Sequence, residues 1–151
     1  MECLKYIFKR GAKITFLSLC GSISQNHFEC FKFLIDNSVD KDPRYTHIAA
    51  QYNRLEFMKY LYESGYEWSP KITYEATKHN NLECLKYAIE NGCKWNNETT
   101  FIAIYFDHLE CLKYALKNYC PMHYKTPVIA KEKKSSKCVK YLLNNGYILS
   151  A

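Results

Sequence analysis

The cysteines and histidines are the residues of this chain that could support catalysis or metal binding. The sequence has 8 cysteines and 5 histidines. It has no Cys-x-x-Cys pair and no His-Glu-x-x-His motif, and its histidines, His27, His47, His79, His108 and His123, lack the spacing of zinc ligands. It also lacks a Gly-x-Ser-x-Gly motif, a Walker loop and a Gly-x-Gly-x-x-Gly fingerprint. The sequence therefore predicts a protein that is not an enzyme and that has no metal ion or cofactor.

The cysteines are spaced regularly. Cys3, Cys30, Cys84, Cys111 and Cys138 share one register of a 27-residue step. Stacked helices lie roughly 8–10 Å apart, whereas a disulfide needs Cα atoms within about 7 Å, so neighbouring copies should not be bridged. We expect these five side chains to act as small buried hydrophobic groups. Cys93 and Cys120 share a second register just after a predicted helix, and we expect them to be more exposed and more reactive.

The same 27-residue step organises the whole chain. A five-residue motif of the type Glu83-Cys84-Leu85-Lys86-Tyr87 begins at residues 2, 29, 56, 83, 110 and 137. A period of this length is typical of repeat proteins, in which each short unit buries its apolar face against the next unit. The sequence therefore predicts one array over residues 1–151, beginning within a second helix and continuing with about five repeats. Residues 126–151 are predicted to form a cap-like repeat, because their first helix is unusually polar.

Each unit is predicted to be a pair of helices. In the repeat from Ile72 to Glu98, residues 72–79 can form a short helix of about two turns. Residues 82–91 form a second helix with apolar side chains at helical spacing on one side. The Asn91-Gly92 pair then ends it, because glycine adopts the left-handed conformation at little cost. We therefore predict an all-α fold of stacked helix–turn–helix units.

The repeats resemble ankyrin repeats. The segment from His47-Ile48-Ala49-Ala50 through Leu55-Glu56-Phe57-Met58-Lys59 to Gly65 is similar to the ankyrin pattern, and the segment from Leu82 to Gly92 matches it again. Ankyrin repeats usually have 33 residues, so these units are six residues short, at the place of the β-hairpin finger. In this respect the chain resembles the short-repeat ankyrin-like proteins of giant DNA viruses of amoebae. The resemblance implies an ankyrin-like solenoid with reduced or absent hairpins.

The resemblance also implies a function, which is to bind another protein without catalysis. In ankyrin-like arrays the short first helices line a concave groove, and the positions after the paired alanines point into it. The predicted partner-binding residues are Gln51, Tyr52, Lys78, His79, Ile102, Tyr105 and Phe106. The segment from Phe101 to Phe106 is apolar on nearly all sides, which favours a binding hot spot at Tyr105 and Phe106. The alternative is that this helix is simply more deeply buried than the others.

The charge of the chain leaves a second hypothesis open. The formal net charge is +6, and part of the excess lies in Lys131, Lys133, Lys134, Lys137 and Lys140. A basic surface there could contact the phosphates of a nucleic acid, although no nucleic-acid-binding module is present. No apolar run approaches the ~20 residues that a membrane span needs, and we identify no signal peptide or small-molecule site. We therefore expect a cytoplasmic protein, in the host cytoplasm with a host factor as partner if it is viral.

Overall fold

The computed structural model describes residues 2–38, 41–134 and 136–148, and within these ranges it contains eleven α-helices and no strand. The helices are α1 Glu2–Lys9, α2 Phe16–Ser24, α3 Phe28–Asp36, α4 Arg44–Gln51, α5 Leu55–Glu63, α6 Ile72–Lys78, α7 Leu82–Glu90, α8 Thr99–Tyr105, α9 Leu109–Lys117, α10 Thr126–Glu132 and α11 Lys137–Asn144. The even-numbered helices form one layer of the stack, called the inner helices below, and the odd-numbered helices form the outer layer. The predicted all-α solenoid is confirmed.

The turns between inner and outer helices have one backbone conformation. Asn26, Asn53, Asn80 and Asp107 follow the inner helices α2, α4, α6 and α8 and have φ angles of 60, 56, 57 and 59°. Asparagine and aspartate tolerate this left-handed conformation better than other residues with a side chain. These turns end the inner helix at the same position of each repeat, and the outer helix then folds back against the inner helix.

The core is formed by small side chains on the inner helices and larger ones on the outer helices. Ala49, Ala76, Ala103 and Ala130 are fully buried on successive inner helices. Because alanine has no side chain beyond Cβ, neighbouring inner helices can approach closely. Leu61 and Leu142 are also fully buried, on outer helices, whereas Ile7 at the equivalent position of α1 is 49% exposed. The first helix of the described chain therefore presents an apolar side that later repeats bury.

Threonine side chains of the inner helices form hydrogen bonds with the backbone segment that leads to the next inner helix. The hydroxyl oxygens of Thr46, Thr73 and Thr100 accept hydrogen bonds from the backbone N–H groups of Ser69, Asn96 and His123, at 3.0, 2.9 and 2.9 Å. Each threonine is buried. A buried N–H group costs free energy when it has no acceptor, so each threonine fixes the start of the next repeat.

A second set of hydrogen bonds runs in the opposite direction along the stack. Arg54 Nε donates to the carbonyl of Ile23 at 3.1 Å, and Asn81 Nδ2 donates to the carbonyl of Ala50 at 2.7 Å. His108 Nδ1 lies 2.7 Å from the carbonyl of Thr77. The last carbonyls of a helix have no partner within that helix. Each repeat therefore caps the inner helix of the repeat before it.

The C-terminal repeat is capped differently. Asp107 accepts hydrogen bonds from the backbone N–H groups of Lys137 and Cys138 at 3.1 and 2.9 Å, and Ser136 accepts one from Val139. These acceptors satisfy the exposed N–H groups at the start of α11. Lys131, Lys134, Lys137 and Lys140 are all exposed. The cap-like role of 126–151 stays a prediction, and residues 135 and 149–151 lie outside the described residues.

The threonine bonds can be tested within one helix. Thr73 and Thr77 are both fully buried in α6, but the Thr77 hydroxyl has no hydrogen-bond partner in the described structure. We expect Thr73→Val to lower the free energy of unfolding by about 1–3 kcal/mol, because the Asn96 N–H loses its acceptor. Thr77→Val should be neutral or stabilising, since it removes an unpaired buried hydroxyl. Urea denaturation measures both values, and equal losses would contradict the assigned role of Thr73.

The turn after α9 gives a second prediction. Tyr119 has a φ angle of 60° and is 93% exposed, while Gly92 occupies the equivalent position one repeat earlier with a φ of 84°. A left-handed conformation costs roughly 1–2 kcal/mol for a residue with a Cβ, partly offset by the greater chain entropy of unfolded glycine. We expect Tyr119→Gly to raise the melting temperature and the reverse change Gly92→Tyr to lower it. If both changes shift the melting temperature in the same direction, backbone strain does not determine the effect of either substitution.

Candidate partner-binding surface

The inner helices have one side that is not used for stacking, which we call the inner face. It is formed by Leu17, Cys20 and Ser24 of α2, by Gln25 directly after α2, and by the residues at equivalent positions of the other four repeats. Positions that differ by whole repeats have the same orientation in the stack, so these residues lie along one continuous side. Among the predicted binding residues, Gln51, Tyr52, Lys78, His79, Tyr105 and Phe106 all belong to it.

The largest aromatic cluster on the inner face is on α8. The rings of Phe101 and Tyr105 are stacked with centroids 6.1 Å apart, and the rings of Tyr105 and Phe106 form an edge contact at 5.0 Å. Tyr105 and Phe106 are 45% and 44% exposed. Lys133 Nζ lies 4.7 Å from the Tyr105 ring centroid, a cation–π distance. Aromatic rings with a basic neighbour at an exposed position are typical of interface hot spots.

Ile102 does not belong to this cluster. Its side chain is only 8% exposed and lies on the buried side of α8. One residue on a helix rotates the side chain by about 100°, so Ile102 and Phe101 point in different directions. Ile102 therefore supports the packing of α8 and cannot offer its side chain to a partner without local rearrangement.

The aromatic cluster borders a small groove between α8 and α10, which we call the C-terminal groove. It has a volume of ≈ 180 Å³ and is lined by Phe101, Tyr105, Lys125, Val128, Ile129 and Glu132. Val128 is 59% exposed. The lining is mainly apolar, with charged groups at its border, and its size suits one side chain of a partner.

Lys78 and His79 lie beside a polar groove between α6 and α8. This central groove has a volume of ≈ 300 Å³ and is lined by Lys71, Tyr74, Glu75, Lys78, Asn96 and Glu98. Lys78 Nζ lies 5.9 Å from the Tyr74 ring centroid, and His79 Nε2 lies 3.6 Å from a carboxylate oxygen of Glu75. The groove contains both signs of charge, so it suits the polar part of a partner and not an apolar side chain.

Gln51 and Tyr52 lie at a third groove, between α2 and α4, which we call the N-terminal groove. It has a volume of ≈ 440 Å³ and is lined by Phe16, Leu17, Cys20, Gly21, Ser24, Ile48, Gln51 and Tyr52. Leu17 is 78% exposed and Tyr52 is 43% exposed. The groove is open at Gly21, where a Cβ would meet no atom within 4 Å.

Several groove residues were missed by the sequence prediction. Leu17, Tyr74, Phe101 and Val128 line the grooves but were not among the predicted binding residues. A usable signal was present for one of them, because Phe101 lies four residues before Tyr105 and therefore on the same side of the helix. Leu17 gave no such signal, since its exposure depends on which helices pack around it.

The prediction for Cys93 and Cys120 was wrong. Their side chains are only 8% and 5% exposed. Burial raises the pKa of each thiol to about 12, which keeps both thiols protonated and unreactive at neutral pH. In the first cysteine register, the predicted burial is confirmed for Cys84, Cys111 and Cys138, which are fully buried. Cys30 is only half-buried, and the Cys3 side chain lies outside the described residues.

Residues 2–38, 41–134 and 136–148 lack two further features. Within these ranges, no helix is long and apolar enough to cross a membrane. The same part of the chain holds no group of three or more histidine, cysteine or acidic side chains that could bind a metal ion.

The stacked helix pairs, the Asn turns and the threonine bonds define a solenoid with the ankyrin-repeat fold. One solved structure that it resembles is the human ASB11 ankyrin repeat domain, with a TM-score of 0.69. The match covers 85% of this chain and 68% of that domain, at 22% sequence identity. At this identity the likeness shows the fold alone. No family model matches the sequence, and a search of curated proteins finds no significant match.

The buried thiols predict a pH dependence of stability. The folded protein raises the pKa of Cys84, Cys93 and Cys120 to about 12, well above the value of about 8.5 for an unfolded chain. Their contribution to stability is complete below pH ~8.5 and is lost as the pH rises toward 12, because the unfolded chain ionises first. We expect the melting temperature to fall progressively between pH 8.5 and 11.

The control for this prediction is the Cys93→Ala/Cys120→Ala variant, which should lose less stability over the same pH range. Its other ionising groups are unchanged. At pH 7.5 the thiols of Cys93 and Cys120 should react with a thiol reagent only as fast as the protein opens or unfolds, because both side chains are buried. Rapid labelling of Cys93 or Cys120 in the native protein, identified by mass spectrometry, would contradict their burial.

Proposed function

We propose that the chain is a non-catalytic protein-interaction module that binds a partner protein through its inner face. The observation that carries the proposal is the aromatic cluster of Phe101, Tyr105 and Phe106, in which the rings of Tyr105 and Phe106 are exposed. Folding does not require an aromatic ring at the position of Tyr105, because the equivalent residues of α2, α4 and α6 are Ser24, Gln51 and Lys78. Exposed aromatic side chains that folding does not require are typical of binding surfaces.

The likeness to ankyrin repeat domains supports the same proposal, since this fold generally presents its inner helices to other proteins. The proposed contact residues are Gln51, Tyr52, Lys78, His79, Tyr105 and Phe106. We further propose that the protein acts in the cytoplasm. By its resemblance to short-repeat viral proteins, this would be the cytoplasm of an infected host cell, with a host protein as the partner.

The experiment is affinity capture from host-cell lysate at physiological salt, with bound proteins identified by mass spectrometry. The Tyr105→Ala/Phe106→Ala variant should lose the partner while its circular dichroism spectrum stays unchanged, because both rings are nearly half exposed. Each lost hot-spot residue should cost about 2 kcal/mol of binding, so together they remove detectable capture.

The matched control is Tyr119→Ala, which removes an exposed aromatic ring from the turn after α9, away from the inner face. This variant should retain the partner. A partner that is captured equally by all three proteins would place the interface elsewhere. Recovery of nucleic acid alone, equal in all samples, would favour a basic nucleic-acid-binding surface and contradict the proposal.

A further inference from the structure

The three grooves of the inner face form an ordered series along the stack. The N-terminal groove lies between α2 and α4, the central groove between α6 and α8, and the C-terminal groove between α8 and α10. The residues that line them come from equivalent repeat positions, so all three open on the same side. The outer two grooves are mainly apolar, and the central groove is lined by Lys71, Glu75, Lys78 and Glu98 among others.

We infer that the inner face binds an extended peptide segment with two apolar anchor residues about seven to nine residues apart, an inference that rests on the proposed function. The two apolar grooves are separated by three repeat steps. With roughly 8–10 Å between neighbouring stacked helices, this is a span of about 24–30 Å. An extended chain advances about 3.3 Å per residue, so about seven to nine residues connect the two anchors.

The polar central groove selects an extended partner over a helical one. A helix that docks in a groove presents a continuous apolar stripe, with anchors at i, i+3, i+4 and i+7. That stripe would lie across Glu75 and Lys78 and would remove their charges from water without compensation. An extended segment instead places a polar, hydrogen-bonding stretch over the central groove and inserts one side chain at each end.

The charges at the C-terminal groove predict which type of residue lies next to one anchor of the peptide. Lys125 lines the groove and Lys133 Nζ lies over the Tyr105 ring, whereas Glu132 is the acidic residue in the lining. In the described part of the chain, neither lysine forms an ion pair. An aspartate or glutamate next to the anchor in this groove would supply the missing negative charge.

The test begins with a phage-displayed library of random 16-residue peptides selected against the intact chain. We expect the selected peptides to share two apolar positions seven to nine residues apart, with an acidic residue beside one of them. A selected peptide, synthesised with a fluorescent label, is then measured by fluorescence anisotropy. Shortening the spacer to four residues should weaken binding at least tenfold, because only one groove can then be occupied. Selected peptides with helical spacing, or no enrichment, would overturn the inference.

Two variants test the grooves separately. Leu17→Ser alters the N-terminal groove at a side chain that is 78% exposed, and Tyr105→Ala alters the C-terminal groove. Each should weaken binding of the labelled peptide at least tenfold, while Tyr119→Ala should leave it unchanged. If only Tyr105→Ala weakens binding, the inner face binds a partner but the two-anchor inference is wrong. If neither variant weakens it, both the inference and the proposed inner-face function are wrong.

Discussion

The whole structure depends on the fact that one helix pair cannot bury its own apolar side. An inner helix such as α6 or α8 has only 7 residues, too few to be stable alone in water. The carbonyl of Thr77 at the end of α6 lies 2.7 Å from His108 Nδ1 of the following repeat. Thr73 of α6 and Thr100 of α8 accept hydrogen bonds from the segments that lead to the next repeats. Secondary structure is therefore stabilised mainly by contacts between repeats, and the stack should form as a cooperative unit.

This dependence divides each repeat into positions that the stack uses and positions that it leaves free. Ala76, Thr73 and Leu85 are fully buried and are fixed by packing or hydrogen bonding between repeats. In a short inner helix, the remaining positions lie one turn apart on a single side, as Phe101 and Tyr105 do. Each repeat can therefore offer only a few side chains to a partner, and a specific surface requires several consecutive repeats.

Much of this organisation could be predicted from the sequence, because the period, the Asn turns and the alternation of apolar positions follow from local chemistry. The helix ends were predicted within one residue at Lys78 and Glu90. Burial of Cys93 and Cys120 could not be predicted in the same way, since it depends on how the polar link folds back against the next repeat. Ile102 was misplaced because an entirely apolar segment carries no periodicity, so only the packing of α8 shows which side faces inward.

The requirements of folding explain only part of the choice of residues on the inner face. The same short helix forms in α4 with Gln51, in α6 with Lys78 and in α8 with Tyr105, so the fold is indifferent to the residue at this position. Exposing an aromatic ring to water gives no folding advantage, because burial of apolar surface is the favourable term. Tyr105 and Phe106 keep about half of their surface exposed in spite of this. The proposed contact with a partner protein would account for the presence of these two rings.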